Sequence, residues 1–208
     1  MTMKKITSIL LCSALALSLA SLAGCGAGTV ETPAATTSAA SDVTTTTAAP
    51  DNSGDEFVSE YKAFTVTTNS LTEKGYWEEI TANTAEGNLS PDLAWEPVEG
   101  ASCYAIYMID MNTHYVIHWV QGDITETNLP QGFAGTKYYS GMSPAPGDTH
   151  VYNTYVFALK NPVERVKGSV RGINPKAPDF IKALDTDKDG NTGNIIAVGK
   201  VSGKYTGK

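Results

Sequence analysis

Residues 104–120, YAIYMIDMNTHYVIHWV, decide the fold, because they predict two β-strands joined by a short polar turn. Side chains alternate between the two faces of a strand, so Asp110 ends an otherwise apolar face of the first strand. In the second strand the same rule puts His118 on one face and both Ile117 and Trp119 on the other. A carboxylate and an imidazole are costly to bury without a partner or a ligand. These two residues are therefore the first candidates for a functional site.

The remaining chain predicts a β-rich domain around this hairpin. Alternating β-branched and aromatic residues predict further strands at 64–68, 93–95, 150–159 and 198–205. One short helix is predicted near the C-terminus, at 178–184, while Pro and Gly exclude regular ladders at 129–133 and 140–147. Short strands at this spacing indicate a mainly β fold, an antiparallel Greek-key β-sandwich forming one domain of about 150 residues.

The N-terminus predicts export. Lys4 and Lys5 precede an apolar run at 6–22, which ends in Leu-Ala-Gly before Cys25. This ending resembles the bacterial lipobox, which implies cleavage before Cys25 and lipid attachment to its sulfur. An ordinary signal peptide or a short membrane anchor is the alternative. We expect a signal peptide at 1–24, a disordered Thr/Ala/Ser/Pro-rich tether at 25–55 and the folded domain at 56–208.

Charge and cysteine content narrow the classes of partner. The net charge is −7, and removal of the signal makes the chain more negative, which argues against nucleic acid and against electrostatic binding to anionic membranes. The nearest approach to a Lys/Arg cluster is the scattered set Arg165, Lys167, Arg171 and Lys176. Cys12 leaves with the signal and Cys25 carries lipid, so Cys103 has no disulfide partner and is interpreted as a core residue rather than a nucleophile.

A second group of polar residues follows the Pro/Gly loop. His150 and Tyr152 lie two apart in a predicted strand and so share a face. This segment, GMSPAPGDTHVY at 141–152, and the segment DMNTH at 110–114 followed by His118-Trp119 resemble the two signature blocks of the phosphatidylethanolamine-binding protein family, in its bacterial branch. Weaker matches at 88–95 and 203–205 keep the family order.

The resemblance implies a sandwich with one small pocket for phosphate-like or other anions. The residues that match the pocket or its loop are Asp110, His118, Gly141, Pro144, His150 and Tyr152. Among the departures from the family, Met111 and His114 replace two prolines, Asn112 replaces an Asp, and Val151 replaces an Arg. The resemblance implies that this Asp and this Arg form an ion pair in relatives. Losing both charges destabilises the fold less than losing one, since a lone buried charge is the costly case.

The chemistry of these residues leaves several functions open. Two imidazoles and a phenol can donate hydrogen bonds to an oxyanion, and a carboxylate suits an ammonium group, so a zwitterion such as phosphoethanolamine would satisfy both. Zinc held by Asp110, His118 and His150 is an alternative. An Asp–His pair could also act as a general base, but Ser143 does not lie in a nucleophile elbow and no other nucleophile is evident.

The segment 185–191, DTDKDGN, matches the first half of a calcium loop. Its candidate ligands are Asp185, Asp187, Asp189 and Asn191, but Ile196 stands where the final Glu is expected. A solvated acidic turn is the alternative. We expect a bacterial membrane lipoprotein on the extracytoplasmic side that binds a small anion or phospholipid head group and has no enzymatic activity or cofactor. A regulator of another exported protein is the second possibility.

Overall fold

The computed structural model describes residues 50–208, so the predicted signal peptide, Cys25 and residues 26–49 of the tether lie outside the described residues. The strands are β1 (Ala63–Phe64), β2 (Val66–Thr67), β3 (Leu93–Trp95), β4 (Cys103–Asp110), β5 (Val116–Ile124), β6 (Asn128–Leu129), β7 (Thr149–Leu159) and β8 (Ile195–Thr206). The helices are α1 (Gly135–Tyr138) and α2 (Ala177–Lys182), with 3-10 turns at Glu79–Thr81 and Ala183–Asp185. No helix among the described residues is long and apolar enough to cross a membrane.

The strands form two sheets, which confirms the predicted β-sandwich. One sheet has five strands in the order β1-β8-β7-β4-β5, and the other has three in the order β2-β3-β6. All neighbours are antiparallel except β1 and β8, which are parallel. The single strand predicted at 64–68 is in fact two, because β1 pairs with β8 whereas β2 pairs with β3 in the other sheet.

The five-stranded sheet is buried on both faces. One face packs against the smaller sheet, and the other is covered by the segment around Phe57 and by α2. All eight residues of β4 are therefore buried, which is why this strand is apolar on both sides. Helix α2 and the 3-10 turn after it confirm the helix predicted at 178–184. The four-residue α1 was not predicted from the sequence.

A β-bulge in β5 changes the direction of His118. The register pairs Ile109 with Ile117 and Met108 with Trp119, so His118 is an extra residue opposite a continuous β4. Ile117 consequently lies in the core beneath α2, while Trp119 lies in the core between the sheets. The prediction that Ile117 and Trp119 share a face is wrong, because the extra residue reverses the alternation of side chains.

Ordered packing begins before residue 56, where the sequence placed the domain boundary. Asn52 is buried, and its Nδ2 donates a hydrogen bond to the carbonyl oxygen of Val198 in β8 at 3.0 Å. Asp55 accepts hydrogen bonds from Lys200 Nζ at 2.9 Å and from the Tyr155 hydroxyl at 3.1 Å. These contacts attach residues 52–55, which were assigned to the tether, to the five-stranded sheet.

Candidate functional site

A pocket of about 640 Å³ opens at one end of the five-stranded sheet, where β4 ends and both β5 and β7 begin. The antiparallel order puts these three strand ends side by side. The pocket is lined by all six residues that the sequence put forward as ligand-binding: Asp110, His118, Gly141, Pro144, His150 and Tyr152. The structure thus brings together residues that are up to 42 positions apart, although their binding role stays a prediction.

Asp110 pairs with His150. Its Oδ2 accepts a hydrogen bond from His150 Nδ1 at 2.7 Å, and its Oδ1 accepts one from the backbone N–H of Asn112 at 2.8 Å. The register places Asp110 opposite Tyr152, so His150 is a diagonal neighbour within reach. Because both carboxylate oxygens have partners and the residue is buried, Asp110 does not present the free carboxylate that the sequence suggested for an ammonium group.

His118 is held by the backbone instead. Its Nδ1 lies 2.7 Å from the carbonyl oxygen of Ser140, and the N–H of Ser140 donates to the His118 carbonyl at 2.8 Å. A carbonyl only accepts, so Nδ1 carries the proton. Burial lowers the pKa of His118, and this effect outweighs the opposing influence of the Ser140 carbonyl and of Asp110. The imidazole is therefore neutral near pH 7, and its Nε2 is an acceptor rather than the donor that the sequence analysis expected.

Tyr152 carries the unpaired hydroxyl of the pocket. The residue is buried, and no group among residues 50–208 meets hydrogen-bond geometry with its hydroxyl, although the Asp110 carboxylate lies near enough to act on it. The ring packs edge-on against the His118 ring at 5.1 Å and stacks on the His150 ring at 6.3 Å. Burial, and secondly the Asp110 carboxylate, raise the pKa of Tyr152. The hydroxyl thus remains a donor, and an unsatisfied buried donor costs about 1–3 kcal/mol.

The loop before β7 forms one wall of the pocket. The N–H of Gly141 donates to Asn88 Oδ1 at 2.7 Å. A Cβ at position 141 would lie 2.5 Å from the backbone nitrogen of Asn83 and 2.7 Å from the carbonyl oxygen of Thr81. Glycine is therefore required for this close approach of two backbone segments, and Pro144 follows it in the same wall.

A hydrogen bond joins Asn112 and Val151, two of the positions at which this chain departs from the family blocks. Asn112 Oδ1 accepts a hydrogen bond from the backbone N–H of Val151 at 2.8 Å, and the N–H of Met111 donates to the Val151 carbonyl at 2.9 Å. The side chain of Asn112 therefore extends the pairing of β4 with β7 by one bond. A neutral contact joins the positions where the family has an Asp and an Arg.

Sequence reasoning missed several residues that line the pocket, among them Ser140, Asp148, Arg171 and Ile173. Ser140 links two others, because its carbonyl accepts from His118 and its Oγ accepts from Arg171 Nε at 2.7 Å. Ile173 is 67% exposed at the mouth of the pocket. The sequence analysis noted Arg171 only as a scattered cation, since the segment between β7 and α2 has no periodic pattern that would place it.

The calcium-loop candidates form a hydrogen-bonded turn. Asp187 accepts hydrogen bonds from the N–H groups of Asp189 and Asn191, both at 2.9 Å, and from the side-chain amides of Asn191 and Asn161, both at 3.0 Å. Asp185 accepts from the N–H groups of Ile195 and Gly193. Calcium would have to displace these donors, so the geometry favours the acidic-turn alternative. Within residues 50–208 no group of three or more His, Cys, Asp or Glu side chains is arranged to hold a metal ion, and this includes the set Asp110, His118 and His150 that was the zinc alternative.

Comparison with known proteins gives a consistent match. The sequence model of the phosphatidylethanolamine-binding protein family matches residues 66–205. Two solved structures are similar in fold, both with a TM-score of 0.53. E. coli YbcL, described as a member of the mammalian family, is 23% identical, and the match covers 70% of this chain and 99% of YbcL. The homologue CT736 of Chlamydia trachomatis is 19% identical, with 71% and 99% covered. No curated protein matches.

Proposed function

The chain belongs to the phosphatidylethanolamine-binding protein family, and we propose that it binds a small anionic or zwitterionic ligand, of the phosphate or phosphoethanolamine type, in this pocket. The observation that carries the proposal is the unpaired, buried hydroxyl of Tyr152. A phosphate oxygen would accept its hydrogen bond and remove the cost of the unsatisfied donor. The neutral Nε2 of His118 would accept from a protonated oxygen of the same group.

The positive half of a zwitterion has a separate acceptor. Asp148 lines the pocket and is exposed, and its side chain forms no ion pair within the described part of the chain. An ammonium group reaching from a bound phosphate would find this carboxylate rather than Asp110, whose oxygens are engaged. Phosphoethanolamine would then bind more tightly than phosphate, and Asp148→Asn would remove the difference.

Binding accounts for the geometry better than hydrolysis does. A general base activates a nucleophile when the two lie within hydrogen-bond reach. Within residues 50–208, however, no hydroxyl group hydrogen-bonds the ring of His118 or His150, whose Nδ1 atoms contact the Ser140 carbonyl and Asp110. The Oγ of Ser140, whose carbonyl contacts His118, accepts a hydrogen bond from Arg171 Nε. We therefore propose a binding protein without catalytic activity.

Calorimetry with the full chain tests the proposal. We expect heat of binding from phosphate and phosphoethanolamine at millimolar ligand, and Tyr152→Phe should weaken binding by about 5- to 10-fold, the worth of one hydrogen bond. The same substitution should not lower the melting temperature, because it removes an unsatisfied donor. Tyr76→Phe is the matched control, since Tyr76 is 37% exposed and lies outside the pocket. Absence of heat from both ligands would end the proposal.

We further propose that the protein is a lipoprotein held on the extracytoplasmic side by a lipid on Cys25, as the sequence of its N-terminus suggests. Cys25 lies outside the described residues. Cys25→Ser should move the protein from the membrane fraction to the soluble fraction and abolish incorporation of labelled palmitate. Retention in the membrane after this substitution would favour the alternative of an uncleaved anchor.

A further inference from the structure

We propose that Arg171 is the residue that binds the anionic group in this pocket, through the two-pronged donor face of its guanidinium. The inference rests on the proposed function and deepens it, because it assigns the charge that selects an oxyanion. Among the described residues, the Asp, Glu, Lys and Arg side chains that line the pocket are Asp110, Asp148 and Arg171. Arg171 is the only Lys or Arg among the lining residues of the described chain, so it alone offers an anion a full positive charge at every physiological pH.

The backbone of Arg171 is fixed in a strained conformation. Its φ angle is 67°, in the left-handed region that costs a residue with a Cβ about 1–2 kcal/mol relative to glycine. The backbone N–H donates to the carbonyl oxygen of Ile117 in β5 at 3.0 Å, directly before the bulge that contains His118. The left-handed conformation, which glycine adopts without strain, falls on Arg171 and not on the neighbouring Gly172.

The side chain is oriented by a buried partner. Nε of Arg171 donates to Ser140 Oγ at 2.7 Å, and Ser140 is only 3% exposed. The same serine accepts the His118 hydrogen bond through its carbonyl, so one residue positions both pocket side chains. With Nε engaged, the plane of the guanidinium is set and its terminal amino groups remain for a ligand.

No carboxylate of residues 50–208 forms an ion pair with those amino groups. Among the ion pairs of residues 50–208, which involve His150, Lys188, Lys200 and Lys208, Arg171 has no part. A guanidinium binds a phosphate or carboxylate through two parallel hydrogen bonds, and such charge-assisted bonds are about twice as strong as neutral ones. His118 does not replace this charge, since its imidazole is neutral, and the Nδ1 of His150 is directed to Asp110 rather than to a ligand.

Because the backbone of Arg171 is left-handed, a glycine at this position can separate the effect on binding from the effect on folding. Arg171→Gly removes the guanidinium and relieves the strain, so the melting temperature of the full chain should stay the same or rise. Its affinity for inorganic phosphate, measured by calorimetry, should fall by about 10- to 100-fold. Arg165→Gly is the matched control, because Arg165 is exposed and lies outside this pocket.

Two further variants address the mode of binding. Arg171→Lys keeps the charge but loses the paired donors, and it should recover less than half of the lost binding energy. Ser140→Ala removes the partner of Nε and should weaken phosphate binding by about 3- to 10-fold through Arg171 alone, so it should have no added effect in the Arg171→Gly background.

The outcomes separate this inference from the proposed function. Wild-type binding of phosphate together with unchanged affinity in Arg171→Gly would overturn the role of Arg171 and leave the proposed function standing. Absence of phosphate binding by the wild-type chain would overturn both. If Arg171→Lys binds phosphate as the wild type does, the paired donors of the guanidinium are not needed and the two-pronged mode of binding is wrong.

Discussion

His118 makes the stability of the folded chain depend on pH in a direction that can be worked out from its burial. The residue is 7% exposed, and burial lowers its pKa below the ordinary value. The unfolded chain therefore binds a proton at His118 at a pH where the folded chain does not. Stability is fully present above about pH 6.5 and falls as the pH drops below it, because protons then favour the unfolded state.

The contribution of His118 to the pH dependence of the free energy of unfolding has an upper limit. One proton bound only by the unfolded state changes the free energy of unfolding by about 1.4 kcal/mol per pH unit. Between pH 7 and pH 5 the contribution of His118 is therefore at most about 2 kcal/mol. This is a measurable part of the stability of a domain, which is about 5–15 kcal/mol in total.

The variant His118→Asn isolates this contribution. The Asn side-chain amide can donate to the Ser140 carbonyl as Nδ1 does, but it does not titrate. Urea unfolding of the full chain, followed by tryptophan fluorescence between pH 5 and pH 8, should give a smaller loss of stability in acid for His118→Asn than for the wild type. His114→Asn, in the exposed β4–β5 turn, controls for the removal of a histidine. Equal pH slopes for the wild type and His118→Asn would refute the argument.

Four further substitutions or measurements follow from the structure. Gly141→Ala should destabilise the chain by about 2–3 kcal/mol, because the new Cβ meets backbone atoms of residues 81–83; an unchanged urea midpoint would contradict this contact. Ile173→Ser should leave phosphate affinity unchanged but weaken binding of short-chain phosphatidylethanolamine, since the exposed apolar rim would contact the acyl chains; equal lipid affinity would exclude that role. Asp187→Ala should lower the melting temperature, whereas millimolar calcium should leave the wild type unchanged; a calcium-dependent rise would restore the calcium interpretation. Cys103, which is 3% exposed, should react with a thiol reagent only when the chain unfolds. The rate of this reaction should therefore rise with urea concentration, and rapid reaction without urea would contradict the burial of Cys103.

The strands and the identity of most pocket residues could be predicted from the sequence because both are local properties. Alternation of apolar residues predicted β4, β5 and β7, and the blocks that contain Asp110, His118, His150 and Tyr152 were recognisable by their order. That these residues line one pocket follows from the antiparallel pairing of β4 with β5 and β7, which brings three strand ends together.

What the sequence by itself determined, then, is a β-sandwich chain of this family with a candidate set of polar side chains. Only the tertiary structure decided which of them meet. It paired Asp110 with His150, left His118 neutral against a carbonyl, and brought Arg171 to the pocket from a segment without any pattern. The bulge at His118 and the left-handed turn at Arg171 depend on contacts with distant strands. The periodicity of apolar residues depends on local conformation, whereas hydrogen-bond partners and charge states depend on neighbours that only the folded chain supplies.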